Sequence, residues 1–385
     1  NTKKDKLLKN LQINFFTNFT AELLDSFFRV EFEAKGYRVK NYYYSYGSIE
    51  ENILGKYNFI NKKNQIFFFH FRTEDLFTDL GSEILANNKK KLLEIVNQKI
   101  NHLQNLFIAI RKNTNCNIFV SNFSGMPLNL IQTLENSLSF NQYDLIYYLN
   151  SELRNLVKKF SSIFIYDYYS FSSSIGSSNL YDNKMWFMAR FPFKSKYNAI
   201  LVKSYIRSIV STLETPKKCL VCDLDNTLWG GIIGETDDVV QLGEQFPGNI
   251  YKSFQQLILN LKRTGVFLAI ASKNNEKDVC KFIDGNEDCL IKTKDFAIIK
   301  SNWEDKAKNI LEISKELNIG LDAIVFFDDN PVEREHIKIT LPEVFVPDWS
   351  LDPSMYAIKL NSLRCFDQVS FTIDDKNRTY ILQIS

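Results

Sequence analysis

From residue 11 onward, short apolar runs alternate with longer stretches of helical periodicity, and this alternation limits the fold more than any other feature of the sequence. A strand, a helix and a second strand in succession form the repeating unit of a parallel sheet covered by helices on both faces. The expected strands of a first domain are Leu11–Phe16, Tyr37–Tyr44, Gln65–Phe71, Asn117–Ser121 and Ser162–Tyr166. Helices are expected between them, among them Ala21–Lys35, Ser82–Asn105, Asp144–Lys159 and Lys196–Leu213. Residues 214–218 then combine a helix end, Pro216 as a breaker and the charges of Lys217 and Lys218, which reads as a linker. A second alternation follows, with strands expected at Cys219–Cys222, Val266–Ala271, Ala297–Lys300, Ala323–Phe327 and Val344–Val346. These runs are almost wholly apolar, as in parallel sheets buried on both faces. The reading is an α/β chain of two doubly wound, mainly parallel sheet domains, 1–213 and 219–385, a division that its 385 residues can support with two separate cores.

Charge and composition exclude several function classes. Lys plus Arg (47) nearly balances Asp plus Glu (45), so there is no overall positive field and nucleic acid is not an expected partner. Lys89, Lys90 and Lys91 open a helical pattern and read as a solvated helix face. The longest apolar stretch of the first domain, Ile66 to Phe69, ends at His70 and falls far short of the roughly 20 residues of a membrane span. No signal-peptide core follows the start, so a cytoplasmic protein without a membrane partner is expected. The lack of a leading Met reads as a trimmed start, and the segment from Asp374 to Ser385 opens like a capped helix without a terminator, which suggests that the natural chain runs on. Six cysteines lack a framework spacing, as expected of reduced thiols. Cys219 and Cys222, three apart on a strand, should point to opposite faces and be buried.

The chemistry gathers in the second domain. Asp223, Asp225 and Thr227 directly follow its first strand and precede the turn-forming Gly230 and Gly231. Ligands of open α/β sheets bind outside the carboxyl ends of strands, where these residues fall. Ser272 and Lys273 follow the second expected strand, Lys306 lies past the third, and Asp328 and Asp329 follow the fourth. Carboxylates crowded together need a positive charge to stay ionised. A trio of them suits a hard, oxygen-loving Mg²⁺, while a lysine and a hydroxyl suit the oxygens of a transferring phosphoryl group. The enzyme assignment requires the acids to meet at one edge, and it falls if they lie apart or if a lysine or salt bridge sits where the ion belongs.

Taken in order, D-x-D-x-T, a serine, a lysine and an acidic pair resemble the haloacid dehalogenase superfamily of phosphatases. The strings CLVCDLDNTLWGG (219–231), SKN (272–274), NWEDK (302–306) and FDDNPVERE (327–335) resemble its FkbH-like branch, subclass IIIC. The resemblance implies that Asp223 attacks phosphorus to form an aspartyl-phosphate. It makes Asp225 the acid that protonates the leaving oxygen and then the base that activates water, with its backbone carbonyl on the metal. It places the metal on Asp223, Asp225 and Asp328, phosphate contacts on Asn226, Thr227, Ser272, Lys273 and Lys306, and Asp329 and Asn330 just outside them. Only about 35 residues separate Trp229 from the next strand, too few for a cap domain, so an open site is expected to take a large or carrier-borne substrate, or to borrow its cover.

In that family the amino-terminal region resembles an SGNH-type esterase, and Asn18 to Thr20 with Trp186 to Phe193 fit the pattern. A hydroxyl nucleophile needs a histidine base. The three histidines, His70, His102 and His336, all lie outside the stretch of about 160 to 213 where the base should be, and only Thr17 and Thr20 offer hydroxyls at the turn, so a catalytically silent domain is expected. Trp186, Phe191, Pro192 and Phe193 read as core or as a docking face, with Arg190 as a candidate substrate contact. The function expected first is a phosphohydrolase acting on a phosphorylated metabolite or carrier-bound ester. The alternative that the resemblance offers is a glyceryl transferase, which loads glycerate from 1,3-bisphosphoglycerate onto an acyl carrier protein through a cysteine thioester. That chemistry needs a reactive thiol beside Asp223, and Cys219 is expected to point into the core while position 271 is alanine. A non-catalytic scaffold is a third class, which nothing in the sequence favours.

Overall fold

A computed structural model of the chain describes residues 8–44, 46–54, 64–77, 84, 88–125, 137–234 and 240–368. It divides into two compact units, Asn1–Val210 and Ser211–Ser385.

In the first unit, β1 (Lys9–Thr17), β2 (Tyr37–Tyr44), β3 (Gln65–His70), β4 (Asn117–Ser121) and β5 (Ile163–Tyr166) form a parallel sheet in the order β2-β1-β3-β4-β5. Alternation along β3 explains its two covers. Phe67 and Phe69 join a cluster with Leu92 and Val96 of α2 (Lys89–Asn113) and Leu145 and Leu149 of α3 (Gln142–Val157). Phe68 turns the other way, onto Tyr205 of α4 (Asn198–Val210), with ring centroids 4.9 Å apart, while Phe15 meets Phe28 of α1 (Asp25–Ala34) at 4.8 Å. The helix expected over Ala21–Lys35 is split, because a 3₁₀ turn at Ala21–Leu24 precedes α1. The helix expected over Ser82–Asn105 is α2, which starts later, where the Asn88 side chain accepts from Lys91 N, and runs on while Leu106, Phe107 and Ile110 extend its buried stripe. Residues 82, 83 and 85–87 of that expectation lie outside the described ones. Trp186, Phe191 and Phe193 are buried, and Phe193 stacks edge-on against Phe19 and Phe191.

The second unit holds β6 (Cys219–Cys222), β7 (Phe267–Ser272), β8 (Ile298–Ser301) and β9 (Ile324–Phe327), parallel in the order β8-β7-β6-β9. Leu220 and Cys222 face α5 (Gly248–Arg263), α6 (Glu276–Gly285) and α9 (Tyr356–Leu363). Cys219 and Val221 face α7 (Lys306–Glu316) and α8 (Pro331–Thr340). The two cysteines therefore lie on opposite faces, both buried and both free. The fifth strand expected at Val344–Val346 is not formed: the segment makes one parallel bridge, Phe345 with Val325. Pro342 and Pro347 flank it, and a residue without an N–H cannot extend a ladder. The acidic turn at 235–239 and the helix expected from Asp374 fall outside the described residues, among which no helix is long and apolar enough to cross a membrane.

Candidate active site

Strand register brings the acids together. Cys222 pairs with Phe327 across β6 and β9, and Asp223 N donates to Phe327 O at 2.8 Å, so the next residue of each strand, Asp223 and Asp328, lies on neighbouring rungs of the sheet edge. Rungs of adjacent strands are only about 4.8 Å apart. Carboxylate oxygens of Asp223, Asp328 and Asp329 all come within 4.8 Å of one another, with Asp223 and Asp328 buried. Lys306, the first residue of α7 and itself 4% exposed, projects its ammonium between two of them, 2.9 Å from Asp223 Oδ1 and 2.6 Å from Asp328 Oδ2. The buried Asp223 Oδ1 has this ammonium as its close cationic partner. Asp328 Oδ1 accepts from Asn330 N at 2.8 Å, and Asn330 in turn caps α8 by accepting from Val332 N at 2.9 Å.

A lysine thus does enter the acid cluster, yet it does not neutralise it. Three carboxylates against one ammonium leave two negative charges when all are ionised. Burial and the Asp223 charge push the Asp328 carboxyl up to about 7, against the pull of Lys306. Asp329 is raised by the same two causes. Burial opposes the Lys306 charge, but Asp223 and Asp328 together hold the ammonium above the usual lysine range. Such a surplus of buried negative charge on hard oxygen donors is what a divalent, oxygen-seeking cation compensates.

The turn after β6 is shaped by its own side chains. Asp225 Oδ1 accepts from Trp229 Nε1 at 2.9 Å and from Ile233 N at 3.3 Å, while Oδ2 accepts from Asn274 Nδ2 at 2.7 Å. Both oxygens are therefore held by donors of the turn and by Asn274, and the carboxylates that come within 4.8 Å of one another are those of Asp223, Asp328 and Asp329. Asn226 sits in the left-handed region at φ 54°, where a short polar side chain is tolerated. Its Oδ1 accepts from Gly231 N at 2.9 Å, so the side chain shapes the turn. Thr227, fully buried, accepts from Asp329 N at 3.2 Å and ties the loop after β6 to the loop after β9.

Ser272 closes β7 with 1% exposure, and its Oγ accepts from Asn274 Nδ2 at 3.2 Å. Lys273 points elsewhere: its ammonium pairs with Glu333 at 2.6 Å and remains half-exposed. Three residues without an assigned role in the sequence prove structurally central. Asn274 links Ser272 to Asp225. Arg334 Nη1 donates to the carbonyls of Asp328 and Asp329 at 2.8 and 2.6 Å, and Tyr356 donates to Asn226 O at 3.2 Å. The placement of Asn274 two residues beyond Ser272, on the same strand end, is the one local signal that could have found it.

No family model matches the sequence, and no curated protein does. Among solved structures, the N-terminal part of the protein BF1531 from Bacteroides fragilis, containing a phosphatase domain and complexed with Mg, matches with a TM-score of 0.80 at 25% identity, over 96% of this chain and 97% of that one. The expected α/β architecture of two mainly parallel sheets is shared with that structure. A UDP-GlcNAc 2-epimerase from Neisseria meningitidis, at 10% identity over 97% of this chain and 98% of that one, reaches a TM-score of only 0.16 and carries no structural likeness.

Proposed function

We propose that the second unit is a Mg²⁺-dependent, haloacid dehalogenase-like phosphohydrolase of phosphomonoesters that works through an aspartyl-phosphate. The observation that carries this reading is the convergence of Asp223, Asp328 and Asp329 carboxylate oxygens within 4.8 Å of one another, whose negative charge exceeds what the Lys306 ammonium beside Asp223 and Asp328 balances. The likeness to a phosphatase-containing structure complexed with Mg supports it. The donor set fits the ion: the candidate side-chain ligands are all carboxylate oxygens, and their charge exceeds that of the one ammonium among them. Asp223, Asp328 and Asp329, with the backbone carbonyl of Asp225 that the resemblance implies, would hold the metal, which when bound screens the phosphoryl charge from the acids.

The chain's own residues supply the rest. Asp223 attacks phosphorus as its ester bond to the leaving alcohol breaks, and Lys306 balances the phosphoryl oxygens in a site where solvent screening is weak. Asp225 gives its proton to the departing oxygen and later takes one from the water that hydrolyses the acyl phosphate. Its three hydrogen-bond donors, Trp229, Ile233 and Asn274, fix the carboxylate, so release of the Asn274 contact is what frees Oδ2 for the proton. Ser272 offers its hydroxyl to a phosphoryl oxygen. Asn226 and Asn330 shape the loops that deliver these groups, and Lys273 acts at longer range, through Glu333.

Transfer of a glyceryl group to a carrier protein finds no support at the site. Burial pushes the Cys219 and Cys222 thiols well above their ordinary range, and Cys222 is raised further by Cys219, Asp223 and Asp328. For the first unit we propose no esterase activity. The Thr17 and Thr20 hydroxyls donate to Phe19 O and Ala189 O, and His70, beside Thr17 across the β1–β3 pairing, is bonded to Tyr205 in an aromatic pocket where burial lowers it to about 3. The deciding experiment is release of phosphate from para-nitrophenyl phosphate with Mg²⁺ and with EDTA. Activity should require the metal and disappear in Asp223→Asn; a fully active Asp223→Asn protein would remove the proposed nucleophile.

A further inference from the structure

The rim of the candidate active site carries apolar surface that its interior does not use. Trp303 lies between Ser301, the last residue of β8, and Lys306, and 77% of it is exposed. The loop that bears it is nevertheless locked. Asn302 and Asn309 exchange amide hydrogen bonds in both directions, at 3.1 and 2.9 Å, with Asn309 wholly buried. Asn302 N also donates to Ser272 O, and Glu304 N to Asn302 Oδ1, each at 3.0 Å. A large aromatic side chain usually buries most of its surface, and this loop, fixed to Ser272 at the site, holds one out to solvent.

A second exposed apolar residue stands on the next element. Val332, 73% exposed, follows Asp329 by three residues, and one turn further along the same stripe of α8 His336 Nε2 meets Asp305 Oδ2 at 2.7 Å. That contact fastens the α8 stripe to the loop of Trp303. Behind the acids, Cys222, Leu224 and Phe327 are buried in the core, and the organic part of an ester whose phosphate lies at Lys306 is taken to extend outward over the rim. The three residues from Trp303 to Lys306 span at most about 11 Å, within reach of such a group.

Building on the phosphohydrolase reading, we propose that Trp303, on the loop that the His336–Asp305 contact fastens to the helix bearing Val332, is the specificity-determining contact for the organic part of the substrate. The preferred substrate class is then a phosphomonoester whose alcohol presents a flat apolar face close to phosphorus, rather than a sugar or polyol phosphate. The test compares 1-naphthyl phosphate with acetyl phosphate, which has no apolar face, in the full chain with Mg²⁺. The quantity read is the ratio of the two kcat/KM values, so that intrinsic reactivity and any general loss of activity cancel between variants. In Trp303→Ala the ratio should fall about tenfold, through KM for the naphthyl ester rather than kcat, as expected for one lost stacking contact. Trp303→Phe, which keeps a flat face, should retain most of it. An unchanged ratio in Trp303→Ala, or a fall carried by kcat alone, overturns the assignment of Trp303 while leaving the phosphohydrolase intact. Failure of the unaltered protein to hydrolyse either the naphthyl ester or the acyl phosphate overturns the phosphohydrolase reading and this inference with it.

Discussion

Replacing Lys306 by Met tests the electrostatics of the site without touching any acid. The side chain is 4% exposed, and its ammonium lies 2.9 Å from Asp223 and 2.6 Å from Asp328, which are themselves 7% and 0% exposed. Methionine can occupy most of the same volume, so the change is mainly the loss of one buried positive charge. Removing one partner of a buried ion pair costs about 3–5 kcal/mol, because the charge left behind is neither solvated nor matched. For a unit the size of Ser211–Ser385, each kcal/mol moves the melting temperature by about 2–4 °C, so Lys306→Met should melt about 6–20 °C lower than the unaltered protein in EDTA. Mg²⁺ should recover more of this in the variant than it adds to the unaltered protein, since the cation then offsets charge that Lys306 no longer balances. Calorimetry in EDTA and in millimolar Mg²⁺ measures both. Equal melting temperatures in EDTA would refute the reasoning, for they would mean that the two acids do not share their charge with Lys306.

Two further outcomes are expected. The folded-state pKa of Asp328 is raised from 3.8 to about 7, so the folded protein holds a proton that the unfolded chain releases, and this contribution to stability is complete below about 4 and lost as pH rises to about 7. In EDTA, denaturant melts should therefore show stability declining across that window, whereas Mg²⁺ affinity, measured by calorimetric titration, should rise across it as the carboxylate becomes free to bind. A flat affinity between pH 5 and 8 would exclude Asp328 as a ligand. Gly248→Ala should destabilise the second unit by about 1–3 kcal/mol in urea melts, because a β-carbon there would lie 2.7 Å from Gly243 N and Leu242 C, backbone atoms with nowhere to go. A neutral result would mean that this turn yields more readily than its packing indicates.

The core of the fold is legible in sequence where burial is complete. Cys219–Cys222 and, after its first residue, Asn117–Ser121 are buried strands with the bounds their apolar character suggests, whereas Tyr37–Tyr44, an edge strand buried only at Tyr37, is recognisable from its β-favouring residues. Val344–Val346 has the same character, but whether an apolar triplet pairs as a ladder depends on what flanks it, and two prolines leave it a single bridge. At the site, the acids are visible because each follows a strand end. Their partners are not, since side-chain direction is settled by contacts distant in sequence. Lys273 is drawn to Glu333, 60 residues away, and Asp225 to Asn274, 49 residues away. Asp329 belongs to the acid trio because Thr227 Oγ1 receives its amide from 102 residues back in the chain, a contact that no local pattern announces.

Strand β6 is flanked by β7 on one edge and β9 on the other, and its four residues are at most 1% exposed. The backbone beneath Asp223 thus has no edge from which to fray, and its amides can open only when the whole unit does. Partial melting that spares the sheet but disables the nucleophile is thereby closed off: the position of that carboxylate and the integrity of the unit are lost together or not at all.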